Sequence, residues 1–589
     1  MTTGVRMGHQ SFYRNEDYDS QTSQTHRALR VLEVFMRVCE YADERTLARL
    51  ARTCRHFCEP ATQELWRVLP NLTPLVRCFP RDSWTIEGSS IRFTRALLPA
   101  DWLTYAWLVR RLGYTNASRA LTLSTSDNVL QTLCAYRPML VLLPNIRILS
   151  WFGLKLANRW LPPLLSLLGD KLTRVSLCIL PVRNQTDGQI VLRDAFALLK
   201  AKGLPLTSLD VDLIHDRHNI HPTTSAALST LATSLSHLVS FECSDIPLTP
   251  NAIEYLLDLG TLERLHVRLP ESTLWPTPTV GAGRSSPICS LKIIMLFCTP
   301  SAYNSFTRAV RLPSLRRLVM FNDGVPRAED FPEFFKSIRR QCDPAMLVDI
   351  AISTHDECSL AQASRSDAVI HSSDLHPLFD FEHLTAFHLD MQCRHDLDDQ
   401  LFLDMAKAWP ELKQLDVAIS EYSAYDQMPS LKALTSLALH CSHLETLGVH
   451  FDAASWHSDS DWEPSDVPPE RFFGELAHRS SGSRVYSLNV GMSPVEGGHH
   501  VALFLARAFP QLCELHTVFE PTFPDDDEDP RREIIRKRWE EVARYVPLFA
   551  CIRQDERRRL EDEDDEDDED DGEGADDADS AIDEDEEEA

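Results

Sequence analysis

The sequence predicts an α/β protein in which three short helices lead into a long array of alternating strands and helices, followed by an acidic tail. Apolar residues recur at helical spacing near the N-terminus, and a strand-forming pattern recurs about every 30 residues through the middle of the chain. Residues 561–589 contain about 21 Asp and Glu residues and no Lys or Arg. These three observations indicate a helical unit, a repeat array and a tail.

The composition is that of a folded protein in a reducing compartment. The chain has 589 residues with 43% hydrophobic content, enough to bury an extended core. Its 15 cysteines form no C-x-x-C pair, which is typical of free thiols. No apolar run approaches the ~18 residues of a membrane span, and the first 25 residues lack the apolar stretch of a secretory signal. We therefore expect a cytoplasmic or nuclear protein without a membrane partner.

The negative charge is concentrated in the tail. The formal net charge is -29, of which residues 561–589 supply about -21, leaving about -8 for the rest of the chain. A segment this charged cannot bury enough apolar area to order itself, so residues 556–589 are expected to be disordered. Two interpretations stay open: a solubilising tail, or a tail that binds a basic protein such as a histone. The acidic charge argues against nucleic acid as a partner.

The N-terminal block, residues 26–75, shows two apolar stripes at helical spacing. The first stripe comprises Ala28, Val31, Leu32, Phe35, Val38, Cys39 and Ala42. The second comprises Leu47, Leu50, Ala51, Cys54, Phe57, Cys58, Ala61, Leu65 and Val68. Since proline is accepted in a first helical turn, Pro60 predicts a break near Cys58 and Glu59 and a third helix that contains Trp66.

The same block contains Cys54, His56 and Cys58, a combination that can also indicate half of a zinc site. On a helix, Cys54 and Cys58 lie one turn apart while His56 points away from their face. The histidines between His215 and His221 lie in a predicted loop without a matching cluster of cysteines or carboxylates. We therefore interpret the two cysteines as small packing residues and expect no metal and no other cofactor.

The repeat array is identified by a strand pattern. Segments such as LTSLDVDL from Leu206 and WPELKQLDV from Trp409 end in alternating apolar residues, as a strand with one buried face does. Equivalent anchor positions are spaced by about 24 to 41 residues. The thirteen anchors are Ile146, Leu172, Leu206, Leu238, Leu262, Leu291, Leu315, Leu347, Leu384, Leu412, Leu444, Val485 and Leu512. Among these, Leu347 fills an interval that otherwise equals two repeats.

Helical segments lie between the strands, for example from Leu192, Thr223, Thr249, Ala328, Asp399 and Gly497. A strand followed by a helix at this period is typical of leucine-rich repeats, which form a curved solenoid with a parallel sheet on the concave side and helices outside. Residues 140–520 are predicted to form this array. Pro, Ser, Asp and Gly accumulate near residues 268–288, 354–380 and 453–480, which predicts insertions there.

The N-terminal block resembles an F-box, in the variant common in fungal proteins where it leads into leucine-rich repeats. The matching residues are Leu29, Glu33, Val34 and Val38, the stretch DERTLARLARTCRHF from Asp43, and PATQELWRVLPNL from Pro60. F-boxes usually have a proline just before the glutamate, where this chain has Val31 and Leu32. The repeats agree with the usual second half of such proteins.

The resemblance implies a substrate-recognition subunit of an SCF-type cullin–RING ubiquitin ligase without a catalytic residue of its own. The F-box would bind a Skp-type adaptor, and through it the cullin–RING ligase, while the repeats hold a protein substrate. The implied adaptor-binding residues are Leu29, Leu32, Glu33, Val34, Val38, Leu47, Leu50 and Cys54. The common phosphate-binding and hydrolase motifs are absent, which also favours a non-enzymatic role.

The alternative is a leucine-rich-repeat scaffold, or an acidic-tailed nuclear or chromatin interaction protein, that does not act through a ubiquitin ligase. Both alternatives share one organisation of the chain. The predicted segments are a disordered N-terminus (1–25), an F-box-like helical domain (26–75), a helical linker or cap (76–139), the repeat solenoid (140–520), a C-terminal helical cap (521–555) and a disordered acidic tail (556–589).

Overall fold

The structure is a computed structural model, and the chain forms two compact units, Met1–Leu238 and Val239–Ala589. It describes residues 27–88, 90–95, 105–113, 124–125, 129, 132, 141–155, 166–180, 185–213, 220–269, 275, 290–324, 326–354, 368–419, 424–454, 483–517 and 530–570. The predicted N-terminal segment 1–25 and residues 571–589 of the predicted tail lie outside these ranges. Each unit is built around a parallel sheet.

The first unit begins with helices. A 3-10 helix over Arg27–Arg30 precedes α1 (Leu32–Glu40), α2 (Glu44–Thr53), α3 (Arg55–Arg67) and the short α4 (Thr73–Arg77). Asp43 caps α2, because its carboxylate accepts a hydrogen bond from the N–H of Thr46 at 2.6 Å.

The break between the second and third helices lies at Cys54, whose backbone is extended (φ -157°, ψ 165°). The predicted break near Cys58 and Glu59 is therefore wrong, and Pro60 lies inside α3. Proline there removes one backbone hydrogen bond, the one to the carbonyl of His56, and the helix continues past it. The predicted third helix with Trp66 exists, but it begins earlier than the sequence suggested.

Short strands follow the helices of the first unit. They are β1 (Val68–Leu69), β2 (Trp84–Glu87), β3 (Ser90–Phe93), β4 (Arg111–Leu112), β5 (Ser124–Thr125), β6 (Ile148–Lys155), β7 (Arg174–Leu180) and β8 (Ser208–Leu213). Strands β1, β4, β6, β7 and β8 pair in parallel in that order, and β2, β3 and β5 form a small separate sheet. Helices α5 (Gln185–Lys202) and α6 (Pro222–Ala232) complete the unit.

The segment 76–139, predicted to be a helical linker or cap, contributes strands in its described part. Strands β2 and β3 pair antiparallel with Ile86 opposite Ile91, and β4 joins the main sheet between β1 and β6. The sheet therefore starts with β1, directly after the third helix, and not at residue 140. Two-residue strands such as β1 and β4 are too short to show the alternation by which the other strands were recognised.

Gly113 allows β4 and β6 to approach each other. Its φ is 127°, and a Cβ at this position would overlap the backbone carbonyl of Ser150. We expect Gly113→Ala to lower the free energy of unfolding by about 2 kcal/mol, because the new methyl group meets a paired backbone that cannot withdraw. Urea unfolding followed by circular dichroism measures this change. Gly260→Ala is the control, since its Cβ would meet nothing within 4 Å; equal losses in both variants would contradict the prediction.

The second unit continues the strand–helix alternation. Its strands are β9 (Ser240–Cys243), β10 (Arg264–Arg268), β11 (Ile293–Phe297), β12 (Arg317–Asn322), β13 (Asp349–Thr354), β14 (Val369–His371), β15 (Ala386–Asp390), β16 (Arg394–Asp396), β17 (Gln414–Val417), β18 (Ala424–Gln427), β19 (Thr446–Val449), β20 (Ser487–Asn489) and β21 (Glu514–His516). Its α-helices are α7 (Pro250–Leu257), α8 (Pro300–Ala309), α9 (Phe331–Gln341), α10 (Ser372–Leu375), α11 (Asp399–Ala408), α12 (Leu431–His440), α13 (Gly498–Ala508) and α14 (Pro530–Asp570).

Ten strands of this unit form one parallel sheet, in the order β9-β10-β11-β12-β13-β15-β17-β19-β20-β21. Strands β14, β16 and β18 form a second, three-stranded parallel sheet. The predicted insertion near 354–380 supplies β14 and α10, whereas those near 268–288 and 453–480 lie largely outside the described residues.

The thirteen anchor residues predicted from the repeat pattern are all buried, none more than 4% exposed. Each anchor precedes its strand by the same interval. For example, Ile146 precedes Ile148 at the start of β6, and Leu412 precedes Gln414 at the start of β17. The predicted fold class is confirmed: three N-terminal helices precede a long parallel sheet with helices around it, which fits a leucine-rich-repeat solenoid.

A long helix, α14, covers one end of the repeat array in the second unit. Trp539 on this helix is buried, and its indole N–H donates to the carbonyl of Ser493 at 2.8 Å. Arg553 donates to the carbonyls of Ala506 and Arg507 at the end of α13. The helix continues to Asp570, past the predicted cap boundary at residue 555 and into the segment expected to be disordered.

The second unit also buries two histidines. The Nε2 atom of His450 accepts a hydrogen bond from the N–H of Met492 at 2.7 Å, and Nε2 of His395 lies 3.1 Å from the carbonyl oxygen of Met391. Burial is the main cause that lowers the pKa of both groups, that of His450 to about 4. Burial therefore favours the neutral form of both rings in the folded protein.

Candidate functional site

Five side chains form the core of helices α1, α2 and α3. Phe35 and Phe57 stack with ring centroids 4.1 Å apart, and Cys39, Leu47 and Ala61 complete the buried cluster. Five more side chains pack partly buried against it: Leu29, Ala42, Leu50, Ala51 and Leu65. This core is small, so the three helices have little stability of their own to spare.

Helix α1 carries more apolar side chains than this core uses. The α1 surface, as we define it, consists of Val31, Leu32, Val34, Met36, Val38 and Tyr41. The first five are each 42–48% exposed, and Tyr41 is 87% exposed. Apolar groups concentrated and exposed in this way on one short helix mark a site of protein interaction.

The α1 surface lies on both sides of the buried face of the helix, which carries Phe35 and Cys39. Residues three or four positions apart share a helix face, so Val34, Val38 and Tyr41 line one flank while Leu32 and Met36 line the other. The remaining face is polar, and there Arg37 donates to Glu40 at 2.6 Å. The helix therefore offers apolar side chains on either side of the core and charged ones opposite to it.

The structure divides the predicted adaptor-binding residues into three groups. Leu32, Val34 and Val38 lie in the α1 surface, and Glu33 is exposed beside them. The partly buried ones are Leu29 and Leu50, while Leu47 is 4% exposed and Cys54 is exposed at the start of α3. We assign Leu47 to the core, because a side chain at this depth cannot contact a partner.

Val31, Met36 and Tyr41 belong to the α1 surface but are not among the adaptor-binding residues predicted from the sequence. Val31, Val34, Val38 and Tyr41 follow one another at intervals of three or four residues, and this signal was available. Spacing alone does not identify these residues as exposed, because the buried residues of the same helix follow the same three-or-four spacing. Only the packing against α3 decides which stripe is buried.

The first helix begins without the proline that F-boxes usually have. The N-cap residue Val31 has an extended backbone and offers no side-chain cap. Instead, the preceding 3-10 helix leads the chain in, and the N–H of Phe35 donates to the carbonyl of Val31 at 3.0 Å. The absence of proline therefore does not prevent α1 from forming.

Cys54 and Cys58 are both exposed, so the interpretation of these cysteines as packing residues is wrong. Cys54 occupies the extended position between two helices, which turns its side chain out of the stripe that a continuous helix would have formed. Within the described ranges, no group of three or more His, Cys, Asp or Glu residues is placed to hold a metal ion. His221, from the histidine-containing segment, caps α6 by accepting from the N–H of Thr223 at 3.3 Å.

The second unit presents an apolar patch on its main sheet. Burial alternates along β11, β13 and β15, so that every second side chain faces away from the core. The sheet patch, as we define it, consists of six apolar residues at alternate positions on β11, β12 and β13: Ile293, Met295, Phe297, Val319, Phe321 and Ala351. Phe297 and Val319 are buried, and the other four are half-buried. Phe297 and Phe321 stack at 4.9 Å between ring centroids, which gives the patch a flat aromatic end.

Carboxylate–imidazole pairs flank the sheet patch on both sides. His266 Nδ1 lies 3.5 Å from a Glu242 oxygen, and His388 Nδ1 lies 3.6 Å from an Asp416 oxygen. The hydrogen bond with His266 is the main cause that lowers the pKa of Glu242. Burial alone would lower the pKa of His388, but the hydrogen bond and charge of Asp416, with smaller contributions from neighbouring aspartates, raise it overall.

None of the described helices combines the length and the apolar character that crossing a membrane requires. In a comparison with protein families, residues 32–69 match the F-box-like domain, a region that holds all of α1, α2 and α3. No curated protein matches the chain.

Among solved structures, the chain is similar to one described as the crystal structure of a TLR13–ssRNA13 complex. The identity is 10% and the TM-score 0.30, over 72% of this chain and 57% of that one. The match thus spans little more than half of the other protein.

Proposed function

We propose that the chain is the substrate-recognition subunit of an SCF-type cullin–RING ubiquitin ligase. The observation that supports this role is the α1 surface: an apolar surface is exposed on the three helices that match an F-box-like domain. A unit with so small a core gains stability when a partner covers such a surface. The partner in this proposal is a Skp-type adaptor.

The proposed adaptor contacts are Leu29, Leu32, Glu33, Val34, Val38, Leu50 and Cys54 from the sequence, joined by Val31, Met36 and Tyr41 from the structure. The exposed members contact the adaptor directly. Leu29 and Leu50 act mainly by supporting the core beneath them, since both are partly buried.

In this role the chain supplies no catalytic group. It binds the adaptor at one end and the substrate along its repeats, so that lysines of the substrate are held near the ubiquitin-loaded enzyme of the ligase. The acceleration comes from a raised effective concentration. The site of action is the cytoplasm or the nucleus.

The sheet patch is the proposed contact for the substrate. Aromatic and aliphatic side chains provide its centre, and the carboxylate–imidazole pairs on either side provide a polar rim, an arrangement that favours a substrate segment with an apolar centre and polar flanks. Met295→Asp places a charge at the centre of the patch. We expect ubiquitin-remnant proteomics to lose substrates of this chain in cells carrying the variant, while adaptor binding remains; unchanged remnants would remove the patch from the proposal.

The direct test of the proposed function uses the purified chain and a purified Skp-type adaptor. Size-exclusion chromatography should show them eluting as one complex of equal stoichiometry, and adding a cullin–RING module should enlarge it. If neither complex forms, the ubiquitin-ligase role is rejected.

The alternative is a repeat scaffold or an acidic-tailed chromatin protein that works without a ligase. The observation in its favour is the charge of residues 561–589. Replacing all Asp and Glu residues of 561–589 by Asn and Gln should abolish binding to purified core histones under this alternative. Histone binding that survives the replacement would exclude the tail as its cause.

A further inference from the structure

The first unit contains a cavity of about 670 Å³ whose wall carries a group of cationic side chains. It is lined by residues of helices α1 and α3 and by residues in and beside strands β1, β4 and β6. Four of the lining residues are arginines, namely Arg67, Arg110, Arg111 and Arg147, and two are glutamates, Glu40 and Glu64. No lysine is among them. We call this cavity the arginine groove.

Three of the arginines lie immediately before neighbouring strands: Arg67 before β1, Arg110 before β4 and Arg147 before β6. The N–H of Arg110 donates to the carbonyl of Arg67 at 2.9 Å, and the N–H of Arg147 donates to the carbonyl of Arg110 at 2.7 Å. They therefore occupy equivalent positions in adjacent segments of the sheet, whose backbones are about 4.8 Å apart. Like charges placed opposite each other in this way destabilise a sheet unless something neutralises them.

The glutamates do not provide that neutralisation, because both are already engaged. Glu40 accepts from Arg37, which lies outside the groove lining, at 2.6 Å. Glu64 accepts from Arg67 at 3.1 and 3.2 Å. The charges of Arg110, Arg111 and Arg147 are left without a carboxylate partner in the part of the chain that the structure describes.

The guanidinium groups of Arg110, Arg111 and Arg147, which have no carboxylate partner among the described residues, differ in what they contact. Arg110 donates to the backbone carbonyl of Trp107 at 2.7 Å, a neutral acceptor. The Nε atom of Arg111 is buried and has no hydrogen-bond acceptor within the described ranges. Burial first, and then the charges of Arg147 and Arg67, lower the pKa of Arg110. The charges of Arg67 and Arg147 act on Arg110, and Arg111, also in the lining, has a buried donor without an acceptor; such a site would be completed by an anion.

We propose that the arginine groove binds a ligand that carries phosphate groups. All of its cations are arginines, whose planar forks bind phosphate oxygens through paired hydrogen bonds. Apolar side chains, among them Met36, Leu108 and Ile148, share the lining and can contact a non-polar part of the same ligand. The groove shares Met36 with the α1 surface, but none of its arginines is among the proposed adaptor contacts, so phosphate binding can be tested without the adaptor.

The test is isothermal titration calorimetry of the full chain with inorganic tripolyphosphate in low-salt, phosphate-free buffer. Arg147→Met removes an exposed guanidinium from the groove, and we expect it to bind tripolyphosphate at least about tenfold more weakly. Arg147→Lys keeps the charge but loses the planar guanidinium group. Its affinity for tripolyphosphate should therefore lie between that of the wild type and that of Arg147→Met. Arg49→Met on α2 is the matched control, since it removes an equally exposed arginine outside the groove; it should bind as the wild type does.

Two further arms identify the source of the phosphate. A peptide with two phosphoserines and its unphosphorylated form distinguish a modified protein segment from a free polyphosphorylated molecule, and both phosphate sources lie within the proposal. Circular dichroism verifies that the variants are folded, and Arg111→Met replaces Arg147→Met if that variant is not. The proposal is overturned if neither phosphate probe binds, or if the groove variants bind as tightly as Arg49→Met.

Discussion

Replacing Val34 and Val38 together by Asp is expected to weaken binding of a Skp-type adaptor by about 100-fold or more. Both side chains lie on one flank of the α1 surface and are 42% and 43% exposed. The folded chain tolerates charges there because water reaches them. In the proposed complex the same charges would be buried against apolar groups without a partner, and this costs free energy only in the bound state. Isothermal titration calorimetry with purified adaptor measures the loss.

A matched control separates this effect from the added charge. Ala226 and Thr230 are also exposed and four positions apart, on α6 of the same unit, so Ala226→Asp with Thr230→Asp adds the same charge at the same spacing away from the α1 surface. Adaptor binding should be unchanged in this control. If both double variants bind alike, the α1 surface is not the docking site.

Acidification from pH 6.5 to pH 4 is expected to lower the stability of the second unit through His450. Its pKa in the folded protein is about 4, because burial, with a smaller contribution from His395, disfavours the charged ring. In the unfolded chain the ordinary value is about 6.5. Within this window the unfolded state therefore binds a proton that the folded state does not, and stability falls as pH falls, by on the order of 3 kcal/mol in total.

The measurement is the dependence of the urea unfolding midpoint on pH. His450→Gln keeps an acceptor for the N–H of Met492 but cannot titrate, so its midpoint should change less between pH 6.5 and pH 4 than that of the wild type. Only this difference in slope is diagnostic, since many carboxylates titrate over the same range. His440→Gln, at an exposed position at the end of α12, should keep the wild-type slope. Parallel curves for all three proteins would show that His450 has no such role.

The repeat array was predictable from sequence because one physical requirement repeats thirteen times. An apolar side chain must enter the core two residues before each strand, and Leu is visible there whatever the loops do. Strands β1 and β4 also belong to the sheet, yet neither was predicted. Their two-residue lengths give no alternation, and the arginines around β4 look like solvent-exposed residues.

The candidate site was predictable only in part, because helix periodicity does not distinguish a core stripe from a docking stripe. Leu47 and Val38 are equally apolar and equally well spaced, but the first lies in the core and the second on the surface. Cys54 shows the other limit. A single extended residue between α2 and α3 rotates everything that follows, and the nearby proline suggested the break at the wrong position. The arginine groove gave no sequence signal, since its arginines come from three distant segments of the chain that meet only through strand pairing.

The junction between the helices and the sheet has a mechanical consequence. Helix α3 ends at Arg67 and β1 begins at Val68, so no residue is left over to serve as a hinge. The carbonyl of Arg67 is already part of the strand ladder, through its bond to Arg110. A partner that binds the three helices therefore also fixes the direction of the first strands. The orientation of β1 relative to the three helices is then set by this direct connection and not by the length of a flexible linker.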